Sequence, residues 1–273
     1  MNLKPPDHAA ADAHRHRPTP AQRHSTDTGM SESKAEACGR LTHFLSLASG
    51  RRQAVRDDPQ LAARHHALKA WQAARLSRTH ADLLAHPRFA DAAVFFLEDL
   101  YGSHDPSQRD LDVARVTPKL VKFLPVAALS TLADALELDA LSERLDGELA
   151  DRLGNVPAQP ITVASYGKAY RACANQAERE RQILLTRGIG DALDGLTRMK
   201  MLERSLKLMR GPARLAGLAN LQAFLERGFG AFKGMGDATP FLNAVQQRET
   251  RVMRALFNAE PDPFAVNDAA VIR

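Results

Sequence analysis

Cysteine is nearly missing from this chain. Cys38 and Cys173 are the only two in 273 residues, far apart and in no metal-ligand spacing. That excludes a disulfide framework and a cysteine zinc site, and it reads as free thiols in a reducing cytoplasm. No apolar run approaches the roughly 18 to 20 residues that span a bilayer. The first residues also lack the apolar core of a secretory signal. Histidine stops at His104, so the Glu-x-x-His pairs of a di-iron helical bundle and a His-Glu-x-x-His zinc helix are both absent. Gly-x-x-x-x-Gly-Lys, Gly-x-Gly-x-x-Gly after a strand and Gly-x-Ser-x-Gly are missing too, which removes the phosphate loop, the dinucleotide fold and the serine hydrolase elbow. His43, His65, His66, His80, His86 and His104 read as solvated side chains rather than haem ligands. No metal and no cofactor is expected.

What is present is ordinary for a globular chain: 44% apolar and 25% charged residues, enough to build a core without metal or disulfides. Residues 1–33 are rich in Pro, His, Thr, Ser and Ala and hold little that can be buried, so they read as a disordered arm. Met30 offers an alternative start, with the residues before it an extension. Ser33 and Glu36 have capping-box spacing, which predicts a helix from about residue 34. Asp58-Pro59 predicts the next, carrying Leu61, Leu68, Trp71, Leu76 and Leu83, until His86-Pro87 breaks it.

A central helix follows to Gly102. Asp105-Pro106 starts another, which Pro118 kinks or ends. Pro125 opens a periodic helix with Leu129, Leu136, Leu145 and Leu153 inward, closed by Gly154. The Pro/Gly loop at 154–161 is the candidate sub-boundary between two halves that do not fold alone. Beyond it the chain reads as helical from Thr162 to Leu185, with Gly188 and Gly190 as an interruption. A basic helix to about Met209, a turn at Gly211-Pro212 and two further helices complete the domain. No stretch alternates β-branched residues at strand length.

The fold class is therefore all-α: one bundle or orthogonal array of about nine helices over residues 34–264, with an extended tail at 265–273.

The densest aromatic cluster is Phe95-Phe96-Leu97-Glu98-Asp99-Leu100-Tyr101-Gly102. At 3.6 residues per turn the helix is apolar on nearly every side, so Glu98 is expected to be buried, with a partner or a raised pKa. The string resembles the hallmark of the bacterial proteins named for an FFLEELY motif, with Asp99 replacing a second Glu. Arg210–Leu218 and Phe224–Phe229 are similar to that family as well. The resemblance spans roughly residues 34–264. It implies no activity, since the family is uncharacterised, and no catalytic residue is carried over.

Glu98 and Asp99, with Tyr101 beside them, could take the polar end of a ligand in an apolar pocket. The competing structural reading pairs Glu98 with Arg171, Arg179 or Arg181, and it is favoured because buried ion pairs shift titration without chemistry. Tyr166 and Tyr170, one turn apart, could line a pocket; core packing with hydroxyls at the rim is the stronger reading.

Charge is uneven within a net +5. Residues 88–155 are acidic, while 34–87 and 156–235 are basic, a pattern that can neutralise itself on folding. Lys200, Arg204, Lys207, Arg210 and Arg214 form a basic stripe without aromatics to stack on bases, which argues against nucleic acid and membrane and for a solvated face. The expected function is a non-catalytic cytoplasmic binding or interaction protein, whose partner is unknown and could be another protein or a second copy. The alternatives are a small apolar-ligand carrier or enzyme with a buried acidic site at Glu98, and a basic surface for nucleic acid or anionic membrane.

Overall fold

Lys34–Asp57 forms α1, begun by Ser33 and Glu36 in the predicted reciprocal cap. In this computed structural model, residues 32–100, 115, 124–154 and 158–265 are described, the side chains of residues 99 and 100 excepted. The expected arm up to residue 31, the helix at Asp105-Pro106 with its break at Pro118, and most of the tail lie outside those residues. Ten α-helices and one π-helical turn make up the fold, with no strand among the described residues.

Asp58 accepts from the backbone of Gln60 and Leu61 to start α2 (Pro59–Thr79). Two short helices follow, α3 (Ala81–Ala85) and α4 (Ala90–Val94), and α4 passes directly into the π-helical turn Phe95–Leu100. The longest helix is α5 (Val126–Leu153), whose C-cap Gly154 takes a positive φ of 67°. Then come α6 (Val163–Ala172), α7 (Gln176–Thr197), α8 (Lys200–Leu215), α9 (Ala219–Met235) and α10 (Thr239–Phe257).

Several expectations need correction. The helix begun at Asp58-Pro59 ends at Thr79, not at His86, which leaves Leu83 on α3. His65 and His80, expected in solvent, are buried. The run from Thr162 is two helices, divided at Cys173–Asn175, where Ala174 has φ 53°. Gly188 and Gly190 do not interrupt α7; at Gly190 a Cβ would stand 2.3 Å from Leu242 Cδ2, so a close helix approach explains it. Gly211-Pro212 is no turn but part of α8, which continues through the proline to Leu215.

The axis of the molecule is α5, which packs on α1, α2, α6 and α7, while α10 lies against α6 and α7. Its helices on either side of the 154–161 loop therefore share one core, and the described residues from Glu32 onward cluster as one unit. One apolar cluster joins α2, α5, α6 and α10 through Leu68, Leu149, Tyr166 and Met253. A second joins α3 and α4 to α9 and α10 through Leu83, Phe89, Phe232 and Phe241. A third joins α1, α5 and α9 through Leu41, Ala133 and Leu221. Each fully buried Leu or Phe contributes roughly 1.5 to 3 kcal/mol.

Ion pairs bind α5 to its neighbours. Arg40 and Arg52 of α1 reach Asp134, Glu137 and Asp139, Lys69 of α2 reaches Glu143 at 2.7 Å, and Arg181 of α7 reaches Glu137. The acidic middle segment is thus neutralised by the basic segments on both sides. No helix among the described residues is long and apolar enough to cross a membrane.

Candidate functional site

Between α2, α5, α7, α9 and α10 the three clusters do not meet, and they leave a mainly apolar cavity of about 280 Å³. Its apolar part is walled by Phe96, Leu97, Leu136, Leu221 and Phe224. Its polar part is walled by Arg75, His80, Tyr166, Tyr170, Arg179 and Glu249. A concave apolar space with a few convergent polar groups is the usual form of a small-molecule site.

The helix periods explain how polar side chains arrive there. On α2 the buried stripe runs Leu68, Arg75, Leu76, Thr79, so Arg75 occupies a core position. On α7 Arg179 and Thr186 share the inward stripe with Ile189 and Gly190. On α10 Glu249 follows the buried Arg248 and lies one turn before Val252.

The polar groups are mostly paired. Arg75 Nη1 lies 2.7 Å from both oxygens of Glu249, and His80 Nε2 is 3.0 Å from Glu249 Oε1. Burial pushes the Glu249 carboxyl up, but the Arg75 charge and the His80 contact outweigh it and hold the group at about 2. Burial raises Glu143 too, and Lys69 and Arg52 overcome it, leaving its pKa below the usual carboxylate range. Tyr166 stacks between Trp71, at 4.2 Å between ring centroids, and Tyr170, at 5.8 Å. Burial pushes both phenols up.

Arg179 differs. Its Cζ lies 4.9 Å from the Tyr170 ring centroid, Nη2 donates to the Leu145 carbonyl at 3.2 Å and Nη1 to Gln182 Oε1 at 3.3 Å. Its Nε has no partner.

Of the residues expected at a site, Tyr166 and Tyr170 are buried and come together at the polar part of the cavity. Glu98 does not join them. It is exposed, contrary to the expectation of burial. The cause is the π-helical turn: its i→i+5 register turns Phe95 and Phe96 toward Phe224, Phe232 and Phe241 and leaves Glu98 in solvent. Its expected partners are engaged elsewhere, Arg171 with the Leu256 carbonyl, Arg181 with Glu137 and Arg179 in the cavity. The Asp99 side chain and Tyr101 lie outside the described residues.

Lys200, Arg204, Lys207, Arg210 and Arg214 are all exposed on α8. Lys207 pairs with Glu203 at 2.8 Å and Arg210 with Glu226 at 2.7 Å, so local carboxylates, not the acidic middle segment, neutralise part of the stripe. Among the described residues no three His, Cys, Asp or Glu side chains converge as a metal site.

Arg75 and Glu249 were missed by pattern reading, and Arg179 was considered only as a partner for Glu98. Their signal was there: a charged residue at an inward position of an otherwise apolar stripe.

A family model described as Domain of unknown function (DUF8198) matches residues 51–263, a span that contains the whole cavity lining. No curated protein matches the chain. No solved structure matches it either.

Proposed function

The chain belongs to that family of domains of unknown function, and we propose that it is a non-catalytic binding protein that encloses a small, largely apolar ligand in its helical bundle. The cavity beneath Phe96 and Phe224 carries this reading. We place the protein in the cytoplasm of a bacterium, in keeping with its scarce cysteines and its FFLEELY-like string. Against catalysis stands the titration of three lining groups. Glu249 is held at about 2, and burial raises the phenols of Tyr166 and Tyr170. Such groups move away from neutrality, whereas a general acid or base works best with a pKa near the working pH.

Native mass spectrometry of the full chain, purified from its own host without additives, tests the proposal. A reproducible extra mass that leaves on denaturation is expected. An environment-sensitive apolar dye should also enter the purified protein, and Ala135→Phe, which projects a ring into the cavity, should reduce its uptake. A clean apo mass together with no dye uptake would overturn the reading.

One observation favours a second, compatible reading. Met201, Leu208 and Leu215, seven residues apart on α8, form an outward stripe in which Leu208 is 79% and Leu215 92% exposed. Lys200, Arg204, Lys207 and Arg214 adjoin it. An apolar stripe beside a basic one suits an anionic membrane surface. A second copy of α8 would bring the same cations together, and nucleic acid offers nothing to the apolar stripe. The full chain should co-sediment with phosphatidylserine vesicles but not with phosphatidylcholine vesicles, and less so as salt rises. The pair Leu208→Glu and Leu215→Glu should abolish this without lowering the melting temperature. Salt-insensitive binding, or none, would dismiss this reading.

A further inference from the structure

Four arginines are buried among the described residues, and three of them face a carboxylate. Arg52 meets Asp139 and Glu143, Arg75 meets Glu249, and Arg248 is held by both oxygens of Asp82 at 2.6 and 2.7 Å. Arg179, only 5% exposed, has no carboxylate within ion-pairing distance among the described residues. A buried charge without a counter-ion is costly, and a fold tolerates it where something else supplies the opposite charge.

The acids that share the cavity are already engaged. Glu249 is bound by Arg75 and His80, Glu143 by Lys69, and Asp139 by Arg52. Asp146 accepts from Gln72 at 3.1 Å and is itself only half-buried, so water can share its charge.

We infer that Arg179 is the head-group subsite of the cavity, and that the ligand is an amphipathic monocarboxylate with its apolar body lying toward Phe96, Leu97 and Phe224. This rests on the reading of the cavity as a ligand site. One leftover guanidinium fits one negative charge; a phosphate dianion would meet, among the described residues, a single cation without a carboxylate and four acids of the cavity wall. Arginine presents adjacent N–H groups in a planar fork that suits a flat carboxylate. Its Nε–H makes no hydrogen bond, as is true of Arg75 as well, but here no carboxylate holds the terminal nitrogens, and the Tyr170 ring under the guanidinium fixes its plane.

The experiment compares dodecanoate with dodecanol, an uncharged probe of equal chain length, in displacing an apolar dye from the full-length protein at neutral pH. Wild type should bind dodecanoate about tenfold or more tighter than dodecanol, the scale of a hydrogen bond to a charged group. Arg179→Gln should keep its affinity for dodecanol and lose the preference, and Arg179→Lys should restore part of it. Equal binding of the two probes by wild type overturns the inference even if the variants do not fold. A preference that survives in folded Arg179→Gln overturns it as well. If neither probe enters, the cavity reading itself fails; if dodecanol alone enters, only the head-group assignment does.

Discussion

Gly228 sits where a Cβ would stand 2.7 Å from Cζ of Phe95, inside any real contact distance, and two more ring atoms lie at 3.2 Å. The buried ring cannot swing away, because Phe224 packs on it at 5.4 Å between centroids. Gly228→Ala should therefore destabilise the protein by about 1 to 3 kcal/mol, the usual cost of overpacking. Gly230, two residues on, has nothing within 4 Å of its Cβ position. Its change to Ala should be neutral or stabilise by up to about 1 kcal/mol through helix propensity. Urea unfolding of the two variants separates these outcomes, and equal effects would refute the packing account. Of the two glycines, close helix packing accounts for Gly228 alone. Spacing reveals that one glycine of such a pair faces inward, but not which. The same limit applies to charge: Glu98 was conspicuous inside its aromatic string and is exposed, while Arg179 was inconspicuous on a polar-looking helix and is buried.

At the scale of elements, what could be read was what is chemically local. Ser33 with Glu36, Asp58 with Pro59, and Gly154 act within four residues of chain, and all three stand where capping chemistry puts them. Interruptions were harder, because a glycine or proline breaks a helix only if no tertiary contact rewards continuity. Gly190 receives the Leu242 side chain and so keeps α7 whole, and α8 runs on through Pro212 to bury Ala213. The π-helical turn was invisible for a different reason. Its register is selected by the aromatic rings it delivers to α9 and α10, a property of three elements together rather than of FFLEDL itself. That turn also fixes the candidate site, since Phe96 and Leu97 from it wall the apolar part of the cavity. The family-like string and the cavity are thus one structural feature, although the carboxylate that drew attention to the string takes no part in it.

For the whole molecule, the acidic α5 held by Arg40, Arg52, Lys69 and Arg181 makes stability depend on carboxylates staying ionised. Glu249 adds a second such point between α2 and α10. Its pKa in the folded state is about 2 against an ordinary 4.5. A depressed carboxylate pKa stabilises the fold at every pH above the unfolded value, and that contribution is lost as pH falls from 4.5 toward 2. For Glu249 it is worth about 3 kcal/mol, and Glu143, whose pKa is also lowered, acts in the same direction. His65 begins the decline earlier. Burial lowers its pKa from 6.5, so the unfolded chain takes up its proton first and the native state weakens once pH drops below that value. Stability should accordingly be level from about pH 7 to about 9, decline gently below 6.5 and fall steeply below 4.5. Glu249→Gln leaves Arg75 buried without its counter-ion, so it should cost about 3 kcal/mol or more near neutrality. Its deficit against wild type should shrink as pH approaches 2, where the wild-type carboxyl is itself protonating. Urea unfolding of both proteins across that range reads this directly. Curves that converge in acid identify the Arg75–Glu249–His80 cluster as an electrostatic clamp between α2 and α10; parallel curves would mean that Glu249 acts there only by filling space.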